Sequence, residues 1–242
     1  MQAVAFAVHA VALIATPLRR RGRRAGLAGV VVGALGAATA AAVLRRWGPR
    51  RAAGALATVA VGTTVLEHVG TATGLPFGRY HYTGALRPVV GGVPAIVPVA
   101  WFAMAVPARE AAHAALGERS SRLRRVGLGA AYLTAWDLFL DPQMVGEGYW
   151  VWARRGRYRG IPVTNYLGWL VGSAAVMALL ELWLPAGEPE PTLTAEYGWM
   201  AVMQTVGFAR YFDDRLVAAV GGSAMVPAAA AAARGLARRR RG

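Results

Sequence analysis

The chain reads as an all-α, polytopic integral membrane protein of seven or eight transmembrane helices with two long ordered loops rich in Gly, Pro and aromatic residues. Three observations predict this. The 242 residues are 56% hydrophobic and only 16% charged, against about 25% charged in ordinary soluble domains. Apolar windows close to one bilayer thickness follow one another along most of the length. Short arginine runs separate them, as basic residues do beside membrane spans.

The windows fall near 2–18, 25–44, 52–73, 93–112, 126–145, 165–185, 197–212 and 215–234. The first has no basic residue before it, so it reads as a span rather than a cleaved signal. Gly48-Pro49, Gly74-Leu75-Pro76 and the Pro185–Pro191 stretch punctuate the windows. The last two are separated only by Arg210, Asp213, Asp214 and Arg215, which leaves the count at seven or eight. The whole chain, 1–242, reads as one transmembrane domain. Two connections, Leu75 to Val93 and Gly146 to Thr164, are too long and too patterned for plain loops. Such segments sit at the interface or fold back over a cavity.

The net charge is +15, and all 27 basic residues are arginine. They cluster at Arg19–Arg24, Arg45–Arg51, Arg119–Arg125, Arg154–Arg159 and Arg238–Arg241. Placement between apolar windows points to anionic head groups. No nucleic-acid-binding motif accompanies the charge, so nucleic acid is not an expected partner. With eight helices, each side of the membrane receives 13 arginines, so the positive-inside bias gives no orientation. Cysteine is absent, which excludes disulfides, thiolate nucleophiles and Cys-ligated metals.

Acidic residues within apolar windows are the sharpest signal. A carboxylate at membrane depth costs about 2.5–3.5 kcal/mol on insertion scales and marks a functional site by default. Glu67, Glu110, Asp137, Asp141 and Glu181 lie in or at the ends of predicted helices. Asp137 and Asp141 are four apart and share a helix face. Pro142 predicts a helix end or kink at Asp141. Two neighbouring carboxyls in an apolar setting cannot both ionise cheaply, so one is expected to serve as a neutral acid. The competing reading is a helix lock in which the pair binds Arg79 or Arg157. Glu67 adjoins His68, but adjacent helical residues point about 100° apart, so both reach one cavity only if it is wide. His81 and Tyr82 would approach from the loop. Glu110 reads as interfacial, Glu181 as structural, and His9 and His113 as isolated. No HxxxH or HExxH spacing appears, and no metal is expected.

Aromatic residues crowd the same regions, among them Trp101, Trp136, Tyr149, Trp150, Trp152, Tyr158, Tyr166 and Trp169. They form either an interfacial belt or a slot for a long apolar polyene, whose cationic forms π faces can stabilise. The two loop regions also echo each other. Gly78-Arg79-Tyr80 recurs as Gly156-Arg157-Tyr158, and Gly92-Val93-Pro94 with Trp101 recurs as Gly160-Ile161-Pro162 with Trp169. Paired repeats that frame a site are known in transporters, but shared interfacial composition accounts for the echo at least as well.

These strings carry a family resemblance over about residues 60–185. They are Glu67-His68-Val69-Gly70; Gly74-Leu75-Pro76-Phe77-Gly78-Arg79-Tyr80-His81-Tyr82; Leu140-Asp141-Pro142-Gln143-Met144; Trp150-Val151-Trp152; and Gly160-Ile161-Pro162-Val163-Thr164-Asn165-Tyr166-Leu167-Gly168-Trp169. Together they resemble the carotenoid biosynthesis membrane proteins of the CruF type, which include carotenoid 1',2'-hydratases and bisanhydrobacterioruberin hydratase. The chain departs at Ala85-Leu86-Arg87-Pro88, where the family loop often reads Leu-Gly-Pro.

The resemblance implies hydration of the terminal 1,2 double bond of an acyclic (ψ) end group, giving a tertiary alcohol. It implies a long polyene substrate such as a lycopene-type carotenoid, a multi-pass protein of the cell membrane in contact with lipid, association with other carotenoid enzymes, and no cofactor. Asp137, Asp141, Glu67 and His68 are then the catalytic candidates. Tyr80, His81, Tyr82, Trp101, Trp150, Trp152, Asn165 and Trp169 are the substrate-binding candidates. Two other readings stand beside it: another prenyl-lipid enzyme such as a cyclase or lyase, and a non-enzymatic transporter or scaffold.

Overall fold

The computed structural model describes residues 1–20, 24–117 and 119–241. Of the Arg19–Arg24 run, Arg21 and Arg23 therefore lie outside the described residues. Among the described residues there are eight α-helices: α1 (Gln2–Ala15), α2 (Ala25–Trp47), α3 (Pro49–Thr73), α4 (Ile96–Leu116), α5 (Arg122–Glu147), α6 (Val163–Trp183), α7 (Pro191–Arg210) and α8 (Arg215–Arg239). Four of them, α2, α3, α6 and α8, are long and apolar enough to cross a membrane. The all-α expectation holds, with two small β-ribbons added in the first long connection and between the two connections.

Local chemistry sets the helix limits. Gly48 turns at φ +81° and Pro49 opens α3 at its first turn, where the missing proline N–H costs nothing. Gly74 ends α3 in the left-handed conformation. The Ser121 side chain caps α5 by accepting from the Arg124 N–H at 3.3 Å. Asp214 caps α8 in the same way through the Val217 N–H at 3.0 Å. The last two apolar windows are thus separate helices, because Asp214 starts a new one.

Contacts between helix ends show the chain alternating in direction. Arg45 at the end of α2 pairs with Glu190 just before α7 at 2.9 Å, and Gln2 at the start of α1 donates to Thr192. At the other end Arg24, just before α2, pairs with Glu147 at the end of α5, and Arg159 pairs with Asp214 before α8. The two ends of the described chain therefore lie at the same end of the bundle.

Helix α4 is the hub. It packs against α2, α3, α5, α7 and α8, and every residue from Trp101 to Ala114 is buried. Its far end contradicts two sequence expectations. Glu110 is fully buried rather than interfacial, and His113 is not isolated. Arg109 bonds Glu110 (2.5 Å), Glu181 (2.8 Å) and the Leu184 carbonyl. His113 and Arg125 complete the cluster on Glu181 at 2.8 and 2.9 Å. Such charges are tolerated in an apolar bundle because each has an opposite partner. Glu181 is accordingly structural, as expected, but its head group is held by buried partners rather than reaching the interface.

Pro142 does not end α5, which continues to Glu147. Proline removes the N–H that would bond the carbonyl four residues back, here that of Leu138. The Tyr158 hydroxyl, from the following loop, donates to that carbonyl at 2.8 Å. Pro107 within α4 is compensated alike: the freed Ala103 carbonyl accepts from Thr39 Oγ1 on α2 at 3.3 Å. Tertiary hydroxyl donors thus compensate for Pro107 in α4 and Pro142 in α5.

The two long connections are joined directly. Strand β1 (Tyr80–Tyr82) pairs antiparallel with β4 (Trp150–Trp152), with Tyr80 opposite Trp152 and Tyr82 opposite Trp150. A second ribbon, β2 (Val89–Val90) with β3 (Val93–Pro94), leads into α4.

Tyr158→Phe should lower stability by about 1–3 kcal/mol, since it leaves a buried carbonyl unsatisfied. In a Pro142→Ala background, which restores the helical N–H, the same substitution should cost markedly less. Thermal melts of the four purified proteins in one detergent give the coupling, and equal penalties in both backgrounds would refute the compensation.

Candidate active site

The cluster of interest lies beneath the β1–β4 ribbon, at the end of the bundle opposite the Arg109 network. Glu67 and Asp141 each sit six residues before the end of their helices, α3 and α5, about 9 Å in at 1.5 Å per residue. Trp101 and Asn165 project from the first two turns of α4 and α6. Four helix ends therefore meet at one level.

Every donor to the carboxylates is neutral. Glu67 Oε2 accepts from the hydroxyls of Tyr80 and Tyr82, the latter at 2.8 Å, and Oε1 accepts from Trp101 Nε1 at 3.1 Å. Asp141 Oδ1 accepts from Trp150 Nε1 (2.6 Å) and Trp152 Nε1 (3.3 Å). Asn165 Nδ2 bridges the aspartate pair, donating to Oδ2 of Asp137 and of Asp141 at 2.7 Å each. The helix-lock reading is not met: among the described residues, none of the three carboxyls has an ion pair with arginine or histidine.

The ribbon explains this donor set. Alternate strand residues face one side, so Tyr80 and Tyr82 point inward from β1, and Trp150 and Trp152 from β4. One strand serves Glu67 and the other serves Asp141. Burial, and next the Glu67 charge, push the pKa of both tyrosine hydroxyls well above the ordinary phenol range, so they stay protonated as donors.

The same two periodicities place the histidines elsewhere. His68 is rotated away from Glu67; its Nδ1 lies 2.9 Å from the Gly91 carbonyl oxygen and the ring is exposed. His81 alternates to the outer face of β1 and is exposed. Neither lines the cavity below the ribbon. The structure brings together Glu67, Asp137, Asp141, Tyr80, Tyr82, Trp101, Trp150, Trp152, Asn165 and Trp169, and leaves His68 and His81 outside.

That cavity runs from the carboxyls between α2, α4, α5 and α7, walled by apolar residues such as Leu35, Val97, Met104, Leu140 and Met200. Trp101 and Trp169 stack at its inner end, with ring centroids 4.0 Å apart and planes 8° from parallel, and Trp136 meets Trp169 edge-on. At its rim Arg24 and Glu147 pair at 2.6 Å.

The stacked tryptophans are the half of the sequence echo that has a structural counterpart. Gly92 and Gly160 both adopt positive φ, 82° and 83°, shortly before α4 and α6, and the matching tryptophans meet. The Gly-Arg-Tyr half does not correspond: Tyr80 binds Glu67, whereas Tyr158 supports Leu138.

Several residues escaped the sequence reading. Gln143, Gln204 and Met200 also line the cavity. Glu196 on α7 is a further buried acid, bonded by Thr39 (3.1 Å) and Gln2 (3.3 Å). The available signal was the one-turn stripe Glu196, Met200, Gln204, which marks an inward helix face. Glu110 and His113 form a Glu-x-x-His spacing, a metal-ligand pattern in helical bundles, but they bond Arg109 and Glu181 respectively. Among the described residues, no three His, Asp or Glu side chains are placed to hold a metal ion.

A sequence model of the family described as "Carotenoid biosynthesis protein" matches residues 6–237. Bisanhydrobacterioruberin hydratase of Haloarcula japonica is 36% identical over 132 residues, which is 53% of this chain and 44% of that relative. The match therefore spans less than half of the relative's length. No solved structure matches. Because the family match extends over nearly the whole sequence, the chain belongs to the carotenoid biosynthesis protein family.

Proposed function

We propose that the protein is a membrane hydratase that adds water across the terminal 1,2 double bond of an acyclic carotenoid end group. The observation that carries this reading is the Asp137–Asn165–Asp141 bridge: two buried carboxyls without a cationic partner, beside Glu67, at the end of an apolar cavity walled by tryptophan. The hydratase relative supports the reaction class.

The chemistry needs an acid, a place for positive charge, and a water with a base. A proton from the aspartate pair goes to carbon 2, and the π electrons form the new C–H bond. The tertiary cation left at carbon 1 faces the carboxylates and the Trp101–Trp169 stack, both of which favour positive charge. Water oxygen then bonds carbon 1, and its proton passes to Glu67. Transfer of that proton back to the pair between turnovers restores the starting state. The Tyr80 and Tyr82 hydroxyls orient the Glu67 carboxylate during these steps, and the apolar walls of the cavity accept the polyene.

Asp141→Asn and Glu67→Gln should each lower formation of the hydrated product by about a hundredfold or more, the range expected for loss of a general acid or base. Pigments extracted from a lycopene-making bacterium expressing each variant provide the measurement, with the product heavier by one water. Product at the wild-type level in both variants would refute the site. A pigment altered without change of mass would point to cyclisation instead.

His68→Ala and His81→Ala should alter product formation by about twofold or less, as for surface substitutions away from a site. Loss of product in either would show that the exposed histidines take part.

A further inference from the structure

The two aspartates are not equivalent. Asp141 lines the cavity, whereas Asp137, one turn earlier on α5, does not and is entirely buried. Their hydrogen bonding differs as well. Asp141 receives three N–H donors spread over both oxygens, and Glu67 likewise receives three donors. Asp137 receives one, at Oδ2. Its Oδ1 is buried with no hydrogen-bond partner among the described residues.

Carboxylates surrounded by donors are stabilised as anions. A buried anionic oxygen without a donor is costly, and a proton on that oxygen removes the cost. Of the three carboxyls, only Asp137 offers such an atom.

We propose that the proton of the pair rests on Asp137 Oδ1, and that Asp141 is the carboxyl that meets the substrate. The assignment of the proton stands on the hydrogen-bond pattern alone; the role of Asp141 rests on the hydratase reading. Asp137 is then a positioning residue that acts through Asp141. When substrate fills the cavity, the proton passes from Asp137 to Asp141 and on to carbon 2. The proton released by the attacking water collects on Glu67 and reloads the pair.

Infrared spectroscopy of the full chain in lipid nanodiscs at neutral pH, with aspartate isotope-labelled at its side-chain carboxyl, tests the assignment. The wild type should show the carbonyl stretch of a protonated aspartic acid, shifted by the label. Asp137→Asn, which keeps the acceptor facing Asn165 and places an amide at the open position, should abolish that band. Asp141→Asn should retain it. No labelled band in the wild type, or a band lost in Asp141→Asn and kept in Asp137→Asn, would overturn the proposal. The pigment assay is separate: a wild type that hydrates nothing yet gives the expected spectra defeats the hydratase reading and leaves the proton assignment standing.

Discussion

Carboxyls buried in an apolar bundle must be given donors, and the β1–β4 ribbon is how this protein supplies them. Tyr80, Tyr82, Trp150 and Trp152 share its inner face, and each donates to Glu67 or Asp141. The ribbon thereby ties α3 to α5 through their functional side chains as well as through backbone pairing. Without it, two of the three carboxyls would lose most of their hydrogen bonds at a depth where water offers little replacement.

The two ends of the bundle solve the cost of buried charge in opposite ways. At one end Arg109 and Arg125 neutralise Glu181, with His113 Nε2 at hydrogen-bond distance from it, and Arg109 also neutralises Glu110. That arrangement fixes α4, α5 and α6 and leaves no group free for chemistry. At the other end the donors are phenols, indoles and one amide, which hold the carboxyls in place without cancelling their charge. A site meant to move a proton and face a cation requires the second arrangement, since an arginine counter-ion would repel the cation. On the proposed hydratase reading, rigidity and reactivity are separated along the bundle axis.

Proline has a comparable double role. Pro142 follows Asp141 directly, and Tyr158 takes over the carbonyl that the proline leaves vacant. The loop that carries β4 thus also repairs the helix that carries the aspartates. Pro107 and Thr39 link α4 to α2 in the same way, and Thr39 further reaches Glu196.

By itself the sequence determined the helical membrane-type architecture, because hydrophobic windows and arginine runs are composition written along the chain. It also marked Glu67, Asp137, Asp141, Asn165 and the aromatic loops, since a carboxyl in an apolar segment stands out without any structure. Only the tertiary structure decided which of these meet. His68 adjoins Glu67 in sequence, yet helical rotation turns it away; His81 lies between two site tyrosines, yet strand alternation turns it out. Glu110 and His113 seemed unpartnered because Glu181 and Arg125, which complete their cluster, lie on other helices. The pairing of β1 with β4 joins segments some seventy residues apart, and no local pattern encodes its register. The sequence lists the polar groups, and packing assigns their partners, because a hydrogen bond depends on distance in space rather than along the chain.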